Sequence, residues 1–259
     1  MNIQKDGKNV TSRREWIEKL VESKGKVDIE ELASHFGVSS MTIRRDLMHL
    51  EEHNKLIRTH GGAVAPSSLI GETPYAQKQT EHLMEKQLIA KQASTLVPEG
   101  ATILVDSGTT TLELIKLLKD RNDLTIVTND ITIAAELVNA SPKCIVTGGE
   151  LQSGVGALFG PQTEGMIREL HVDLFFLGAH AVDEAAGVTA PTLEKAAIKK
   201  RMMEAAQTTW LICDSSKFSK RAFANVCQLT KLEGIITDAN FFTSFKHENY
   251  HDNMVIAQA

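Results

Sequence analysis

The chain has 259 residues and a formal net charge of −5, with 42% apolar and 24% charged residues. This length is enough for one small and one larger domain. No apolar run is long enough to span a bilayer, and residues 1–10 are too polar for a secretory signal, so we expect a cytoplasmic protein without a membrane partner. Neither a disulfide nor a metal site is predicted, because no metal-ligand spacing relates Cys144, Cys213 and Cys227.

The charge is distributed unevenly along the chain. Residues 1–64 contain 11 Lys and Arg against 10 Asp and Glu, and the remaining residues contain 17 against 23. Contacts with DNA phosphates need only a local basic face, because electrostatic fields are screened over about 10 Å at moderate salt. The acidic total therefore permits DNA binding by the N-terminal part.

Three helices and a short hairpin are predicted in the N-terminal part. Residues 12–15 and 28–31 both have the form of a helix capping box, and apolar residues at helical spacing follow each of them. A third helix is predicted over residues 39–50, and residues 55–64 are expected to form two strands joined by a Gly-Gly turn. This order of elements predicts a winged helix-turn-helix domain over residues 1–65.

The third helix carries groups that can contact a DNA major groove. Its apolar stripe faces the small core and leaves hydroxyls and arginines on the outward face. We expect DNA contacts from this helix and the wing at Ser39, Ser40, Met41, Thr42, Arg44, Arg45, Arg58 and His60. An amphipathic helix with two solvated arginines is the alternative interpretation. Arg13 and Arg14 either reach phosphates from the first helix or are solvated, and the sequence leaves both readings open.

The composition changes at residue 66. Residues 66–74 contain two prolines and a glycine, so a linker is predicted over residues 66–80. Apolar residues at helical spacing over residues 75–97 predict one long amphipathic helix that ends before Pro98. This helix leads into a second domain, which is expected to occupy residues 81–259.

Short apolar segments alternate with helical segments in the second domain. The predicted strands are residues 101–105, 124–128, 143–147, 172–177, 210–213 and 235–237, and the predicted helices are residues 110–118, 131–139, 162–170 and 193–206. Strands this apolar on consecutive positions are buried on both faces, and their alternation with helices indicates a parallel sheet. The fold class is therefore α/β, with an open, largely parallel sheet.

Small and polar residues follow five of these strands. Ligands of open α/β sheets bind beyond the carboxyl ends of the strands, where these loops meet. The loops are residues 106–111, 128–130, 147–149, 178–183 and 214–217. A single loop of this kind is explained as well by helix capping. Five loops on one edge, with a turn at Gly108 and with Lys217, favour binding of a small phosphorylated ligand.

The sequence also resembles the DeoR family of bacterial regulators of sugar metabolism. The N-terminal motifs that carry the resemblance are Val38-Ser-Ser-Met-Thr-Ile-Arg-Arg-Asp-Leu47 and Arg58-Thr-His-Gly-Gly-Ala63. Those of the second domain are Asp106-Ser-Gly-Thr-Thr-Thr111, Thr128-Asn129, Gly148-Gly149, Gly187-Val-Thr189 and Asp214-Ser-Ser-Lys-Phe218. The effector domains of this family are similar in fold to ribose-5-phosphate isomerase and glucosamine-6-phosphate deaminase. The resemblance therefore implies a sugar-phosphate sensor.

Roles for individual residues follow from the resemblance. It implies that Ser107, Gly108, Thr109, Thr110, Thr111 and Lys217 hold the phosphate, that Asp183 and Glu194 bond sugar hydroxyls, and that Asn129 and Gly149 line the pocket. Asp106 and Gly148 belong to the same effector-binding set. One departure is His180, which precedes Asp183 where many relatives have an Asp-Gly-Ile-Asp type loop. His180 either alters which sugar fits or faces solvent, and no role is assigned to it.

The function implied by the resemblance is that of a DNA-binding transcriptional regulator, a repressor of a carbohydrate-utilisation operon that a phosphorylated sugar releases. Its expected partners are a double-stranded operator, the effector and further copies of the chain in a dimer or tetramer, with no cofactor and no catalytic residue. One alternative is a sugar-phosphate isomerase or deaminase fused to a DNA-binding module, with Asp183 and Glu194 as general acid and base. Another is an activator that uses the same sites. The sequence specifies neither the sugar nor the operator.

Overall fold

Two units make up the chain, Met1–Glu72 and Thr73–Ala259. The computed structural model describes residues 10–53, 55–58, 61–64, 75–244 and 252–258. Within these residues, no helix combines the length and the apolar character needed to cross a membrane.

The N-terminal unit is a winged helix-turn-helix, as predicted. Its elements are α1 (Val10–Lys24), β1 (Lys26–Asp28), α2 (Ile29–Phe36), α3 (Ser40–Glu52), β2 (Ile57–Arg58) and β3 (Gly62–Val64). The three strands pair antiparallel in the order β1-β3-β2. The Asp28 carboxylate caps α2 by accepting from the Glu30 and Glu31 amides, and Gly37 ends α2 in the left-handed conformation, with φ of 61°.

The core of this unit consists of one apolar stripe from each helix. Ile17 and Val21 of α1 pack against Ile43 and Leu47 of α3, and all four are fully buried. The prediction that residues 12–15 start the first helix was wrong, because α1 begins two residues earlier, at Val10. Ser12 therefore lies inside α1 and does not cap it, and the two arginines of this segment donate to Asp46 of α3.

A seven-stranded parallel sheet forms the second unit. Its strands are β4 (Thr102–Val105), β5 (Thr125–Thr128), β6 (Lys143–Val146), β9 (Val172–Leu177), β12 (Ala206–Ile212), β14 (Gly234–Asp238) and β15 (Met254–Ala257). They have the order β15-β14-β12-β9-β4-β5-β6, and every pair is parallel. The helices are α4 (Tyr75–Thr80), α5 (Leu83–Ser94), α6 (Thr109–Leu118), α7 (Ile131–Glu136), α8 (Pro161–Arg168), α9 (Leu193–Ala205) and α10 (Asn240–Ser244). The predicted α/β class is confirmed.

Both faces of the sheet are buried, and successive strand residues alternate between them. Ile103 and Val105 of β4 belong to the apolar cluster formed with α5, α6 and α7. Leu104, between them, belongs to the cluster formed with α8 and α9. This period of two places a hydrophobic core on each side of the sheet.

Two smaller β elements lie beside the main sheet, and neither was predicted. Strands β7 (Glu150–Leu151) and β8 (Leu158–Phe159) form an antiparallel hairpin. Strands β10 (Ala181–Asp183), β11 (Gly187–Ala190) and β13 (Ala224–Cys227) form a second antiparallel sheet. A glycine is required at Gly187, the first residue of β11 with φ of 74°, because a Cβ there would lie 2.1 Å from the Cys227 carbonyl oxygen.

The single long helix predicted over residues 75–97 was wrong. Residues 81 and 82 separate α4 from α5, and His82 has a positive φ of 53°. The ammonium group of the buried Lys86 donates to the carbonyl oxygen of Lys78, in α4, and to that of Glu81, directly after α4. A buried ammonium needs several acceptors, and the interrupted helix provides two of them.

Candidate DNA interface and effector pocket

The outward face of α3 presents an apolar side chain and two cations. Met41 is 62% exposed, and Arg44 and Arg45 are also exposed. The Ser39 hydroxyl caps α3 by accepting from the Thr42 amide at 3.3 Å. Ser39 therefore has a local role as well as its predicted role in DNA binding.

The remaining predicted DNA-binding residues lie beside α3 or in the wing. The Ser40 hydroxyl donates to Glu30 Oε1 at 3.0 Å. Arg58 on β2 donates from Nε to Glu51 Oε2 at 2.6 Å, and its hydrogen bonds to Glu51 hold the pKa of that carboxyl below its usual value. His60 lies outside the described residues.

A buried ion cluster ties α3 to α1. Asp46 is 2% exposed and accepts from Arg13 Nε at 2.6 Å and from Arg14 Nε at 2.8 Å. Arg13 is 4% exposed and Arg14 is 26% exposed. Neither arginine is simply solvated, which corrects one of the two readings left open by the sequence. Asp46 directly follows the two outward arginines, so the cluster fixes the rotation of α3 about its axis.

The second unit has a pocket at the carboxyl edge of its sheet. The residues that line it come from the loops after β4 and β5, from β8 and from α9: Asp106, Ser107, Asn129, Ala157, Leu158, Phe159, Lys195, Ile198 and Lys199. Three of them, Asp106, Ser107 and Asn129, were predicted from the sequence. This edge is where parallel sheets bind ligands.

Asp106 and Lys199 form a buried ion pair within this pocket. Lys199 Nζ bonds to Asp106 Oδ2 and donates to the Gly178 carbonyl oxygen at 2.9 Å, and the Gly178 amide donates to Asp106 Oδ2 at 3.0 Å. Lys195 and Lys199 were not predicted from the sequence. The signal was available, because two lysines four residues apart share one face of a helix, and Lys199 lies beside the apolar Ile198.

Ser107 and Asn129 make their hydrogen bonds within the loops of the pocket. Ser107 Oγ donates to Asp130 Oδ2 at 2.7 Å. Asn129 Nδ2 donates to the Leu158 carbonyl oxygen at 3.0 Å, whereas its buried Oδ1 has no hydrogen-bond partner among the described residues. A buried amide oxygen without a partner is costly, so this atom is suited to accept from a ligand hydroxyl or a water molecule.

The predicted phosphate loop leads directly into α6. Gly108 is extended, with φ of 172°, and Thr109 and Thr110 form the first turn of the helix. The Thr111 Oγ1 lies 2.8 Å from the carbonyl oxygen of Asp106 and 2.8 Å from that of Gly108, and its single proton is donated to one or shared between the two. Thr111 thus stabilises the loop from within, and the amides of the first turn are the groups that remain for an anion.

The other predicted effector residues do not line this pocket. Gly149, with φ of 114°, allows its backbone to lie close to Thr163, because a Cβ there would lie 2.1 Å from Thr163 Oγ1. Gly148 precedes it, and its carbonyl oxygen accepts from Thr163 Oγ1 at 2.6 Å. Glu194 is exposed in the first turn of α9. Lys217 ends a short 3-10 helix (Ser215–Lys217) that follows β12.

Asp183 is bound within the turn between β10 and β11. Its Oδ1 accepts from the Ala185 and Ala186 amides at 3.0 and 2.7 Å and from Arg221 Nη2 at 2.7 Å. Partial burial acts to raise the pKa of Asp183, but the hydrogen bonds from Arg221 and the amides outweigh it and hold the pKa below its usual value. These hydrogen bonds satisfy the Asp183 carboxylate without a contribution from a sugar hydroxyl. His180 nearby is half-buried.

Among the residues that the structure describes, no group of three or more His, Cys, Asp and Glu side chains is arranged to hold a metal ion.

Comparison with known proteins identifies both units. Residues 13–69 match the DeoR-like helix-turn-helix domain, and residues 81–239 match the DeoR C terminal sensor domain. Among solved structures, ribose 5-phosphate isomerase A of Methanocaldococcus jannaschii aligns with a TM-score of 0.39 and 19% identity over 52% of this chain and 54% of that chain.

Relatives of similar length match most of the chain. The chain is 35% identical to the HTH-type transcriptional regulator GlpR of Haloferax volcanii, over 91% of this chain and 92% of that protein. It is 34% identical to the glycerol-3-phosphate regulon repressor of Escherichia coli K12, over 88% of this chain and 91% of that protein. It is also 32% identical to the putative aga operon transcriptional repressor of Escherichia coli O157:H7, over 88% of this chain and 86% of that protein. The chain therefore belongs to the DeoR family of DNA-binding transcriptional regulators.

Proposed function

We propose that this regulator represses a carbohydrate-utilisation operon and releases its operator when a phosphorylated sugar binds to the second unit. The observation that carries the proposal is the pocket at the carboxyl edge of the sheet. There the loops after two neighbouring strands meet two lysines of α9, beside a helix N-terminus. Relatives named as repressors of a glycerol-3-phosphate regulon and an aga operon support the same class of function.

DNA binding is assigned to the outward face of α3. The exposed Arg44 and Arg45 supply bidentate donors for guanine edges or phosphates, and the wing supplies Arg58. Repression requires two copies, because an isolated recognition helix reads only one half-site. We therefore assign a homo-oligomer with dimeric DNA binding.

Effector binding is assigned to the pocket and the loops around it. The first-turn amides of α6 and the Ser107 hydroxyl donate to the phosphate, and Lys195 and Lys217 supply positive charge. Asn129 Oδ1 accepts from a sugar hydroxyl, which satisfies an atom that is otherwise buried without a partner. Asp183 and Glu194 remain assigned to the effector by family resemblance alone. The effector changes DNA affinity only to the extent that it binds the two functional states unequally, typically by about 1–3 kcal/mol.

The DNA assignment is tested by the substitution Arg44→Ala. Loss of one bidentate contact costs about 1–3 kcal/mol, which is roughly 5- to 150-fold in affinity. Fluorescence anisotropy with an operator selected from random duplex DNA measures this change. Arg201→Ala, which removes an exposed arginine from α9, is the matched control and should bind as the wild type does. Equal affinity of the two variants would remove Arg44 from the interface.

The effector assignment is tested in two steps. A thermal-shift screen of sugar phosphates that includes glycerol 3-phosphate should find a ligand that raises the melting temperature, because a ligand at 100 times its Kd stabilises by about 2.7 kcal/mol. Lys217→Ala should then abolish release of the operator by that ligand and leave DNA binding intact. Lys119→Ala, at the exposed end of α6, serves as the control. Release that survives Lys217→Ala would exclude this lysine from the site.

A further inference from the structure

A carboxylate of the recognition helix α3 holds the cation of the wing. Glu51 lies in the last turn of α3, and Arg58 is the second residue of β2. The Arg58 amide donates to Glu51 Oε1 at 3.0 Å, and Arg58 Nε donates to Glu51 Oε2 at 2.6 Å. Each carboxylate oxygen therefore has its own donor, and both donors belong to one residue. This arrangement fixes the backbone and the guanidinium of Arg58 together.

The same contact fixes the wing strand to α3. Strand β2 lies at the end of the order β1-β3-β2 and pairs with β3, where Arg58 is opposite Ala63. The amide of Arg58, on this edge strand, donates to the Glu51 carboxylate. Arg58 is thus held by β3 through the strand pairing and by α3 through Glu51.

Glu51 lies on the same face of α3 as Arg44, which is exposed there. Glu51 comes seven residues after Arg44, close to two full turns, so the two side chains leave the helix in nearly the same direction, about 10 Å apart along the axis. Glu51 therefore brings the Arg58 guanidinium to the face of α3 that is proposed to contact DNA.

The contact with Glu51 leaves most of the Arg58 guanidinium available. A guanidinium has five N–H groups, and this contact uses only the one on Nε. The two terminal nitrogens carry the others in a planar fork that matches a phosphate or a base edge. The Arg58 side chain is 40% exposed, so the fork is accessible to DNA.

Holding Arg58 in the free protein has two opposing effects on DNA binding. An arginine that is already oriented loses less rotamer freedom when it contacts DNA, which strengthens binding. The negative charge of Glu51 repels phosphates of any DNA sequence, which weakens binding. The two effects can be separated, because only the first requires Arg58.

We infer that Glu51 is a positioning residue for DNA recognition, which orients the Arg58 guanidinium of the wing toward DNA on the same face as Arg44. The inference rests on the proposed function for the contact between Arg58 and DNA. Glu51 touches no DNA in this scheme and acts through Arg58. Its net effect is to strengthen operator binding, although it adds a negative charge to the DNA-binding face.

A double-mutant cycle in the full chain tests this inference, with fluorescence anisotropy on an operator selected from random duplex DNA. Glu51→Gln keeps the size of the side chain but no longer offers a separate oxygen to each donor of Arg58. It should weaken operator binding roughly 2- to 10-fold. In the Arg58→Ala background the same substitution should leave the affinity unchanged or raise it, because only the repulsion is removed. Glu52→Gln, which removes the same charge from the adjacent exposed residue, is the matched control and should not weaken binding.

Equal losses in the two backgrounds would mean that Glu51 only supports the fold of the unit, and would overturn the inference. A gain in affinity for Glu51→Gln alone would overturn it as well, because the repulsion would then outweigh the positioning.

A second measurement follows the nitrogen-15 signal of Arg58 Nε in the protein without DNA, which Arg58→Ala identifies. Glu51→Gln should displace this signal, and a signal that keeps its wild-type position in the folded variant overturns the inference. If Arg58→Ala binds the operator as tightly as the wild type does, the DNA contact assigned to Arg58 in the proposed function is contradicted. A displaced signal in Glu51→Gln would still support the positioning of Arg58 by Glu51 in that case.

Discussion

Removing the carboxylate of Asp46 tests whether the buried ion cluster holds the recognition helix. Asp46→Ala removes the carboxylate to which the buried guanidinium of Arg13 donates, and breaking a buried pair in this way costs about 3–5 kcal/mol. At about 0.05–0.15 kcal/mol per residue, the unit Met1–Glu72 has a total stability of roughly 4–11 kcal/mol. The substitution should therefore remove a large fraction of the stability of the DNA-binding unit.

Urea denaturation followed by Trp16 fluorescence measures this loss. Trp16 lies in α1, and replacing Trp210 by Phe leaves it as the one tryptophan of the chain. Glu51→Ala is the matched control, because it breaks a carboxylate–arginine pair with the same 2.6 Å distance that is largely exposed to solvent and contributes about 0–1 kcal/mol.

A double variant distinguishes the loss of a partner from the loss of the ion pair itself. Replacing Arg13 by Met and Asp46 by Leu removes both buried charges, so it should recover most of the stability lost in Asp46→Ala. Operator affinity should follow the position of α3 and fall in the single variant. A midpoint for Asp46→Ala no lower than that of Glu51→Ala would refute the assignment of this cluster as the anchor of the helix.

Two further predictions concern the second unit. Gly149→Ala should lower the melting temperature far more than Gly148→Ala, because its Cβ would lie 2.1 Å from a hydroxyl oxygen whereas that of Gly148 meets nothing within 4 Å, and overpacking costs about 1–3 kcal/mol. Similar losses in both would contradict the tight packing. In the native protein, Ellman's reagent should react first with the half-exposed Cys144, since Cys213 and Cys227 are buried and burial raises the pKa of Cys227 to about 11. Fast labelling of all three thiols would contradict this burial.

The sequence predicted elements whose signal is local. Strand β9 was predicted with its observed ends, because all of its residues except Asp173 are apolar, and a short apolar run of this kind indicates a strand buried on both faces. The cap at Asp28 was predicted because it acts within its own turn. The break between α4 and α5 could not be predicted in this way, since the amphipathic spacing continues through it. The break depends on the buried ammonium of Lys86, whose burial is a tertiary property.

The part of the candidate site that depends on local signals was predicted, and the part that depends on tertiary contacts was not. Asp106, Ser107 and Asn129 follow buried strands directly, and parallel strands bring their carboxyl ends to one edge. Lys199 reaches the same pocket from a helix far along the chain, so loop positions alone did not indicate it. The arginines of α1 were misjudged in a similar way, because their buried partner lies 32 and 33 residues further along the sequence.

The charges at the carboxyl edge of the sheet limit how an anionic effector can bind. The buried carboxylates of Asp106, Asp130, Asp214 and Asp238 all lie at the ends of strands on this edge. Asp106 is paired with Lys199, serine hydroxyls donate to Asp130, Asp214 and Asp238, and the charge of the buried Lys86 also attracts Asp214. These carboxylates repel a phosphate that approaches the edge, so its attraction must come from the lysines around them and from the first turn of α6. Selectivity for a phosphorylated ligand therefore depends on the lysine side chains at the rim of the pocket. The buried carboxylates repel anions that cannot reach these lysines.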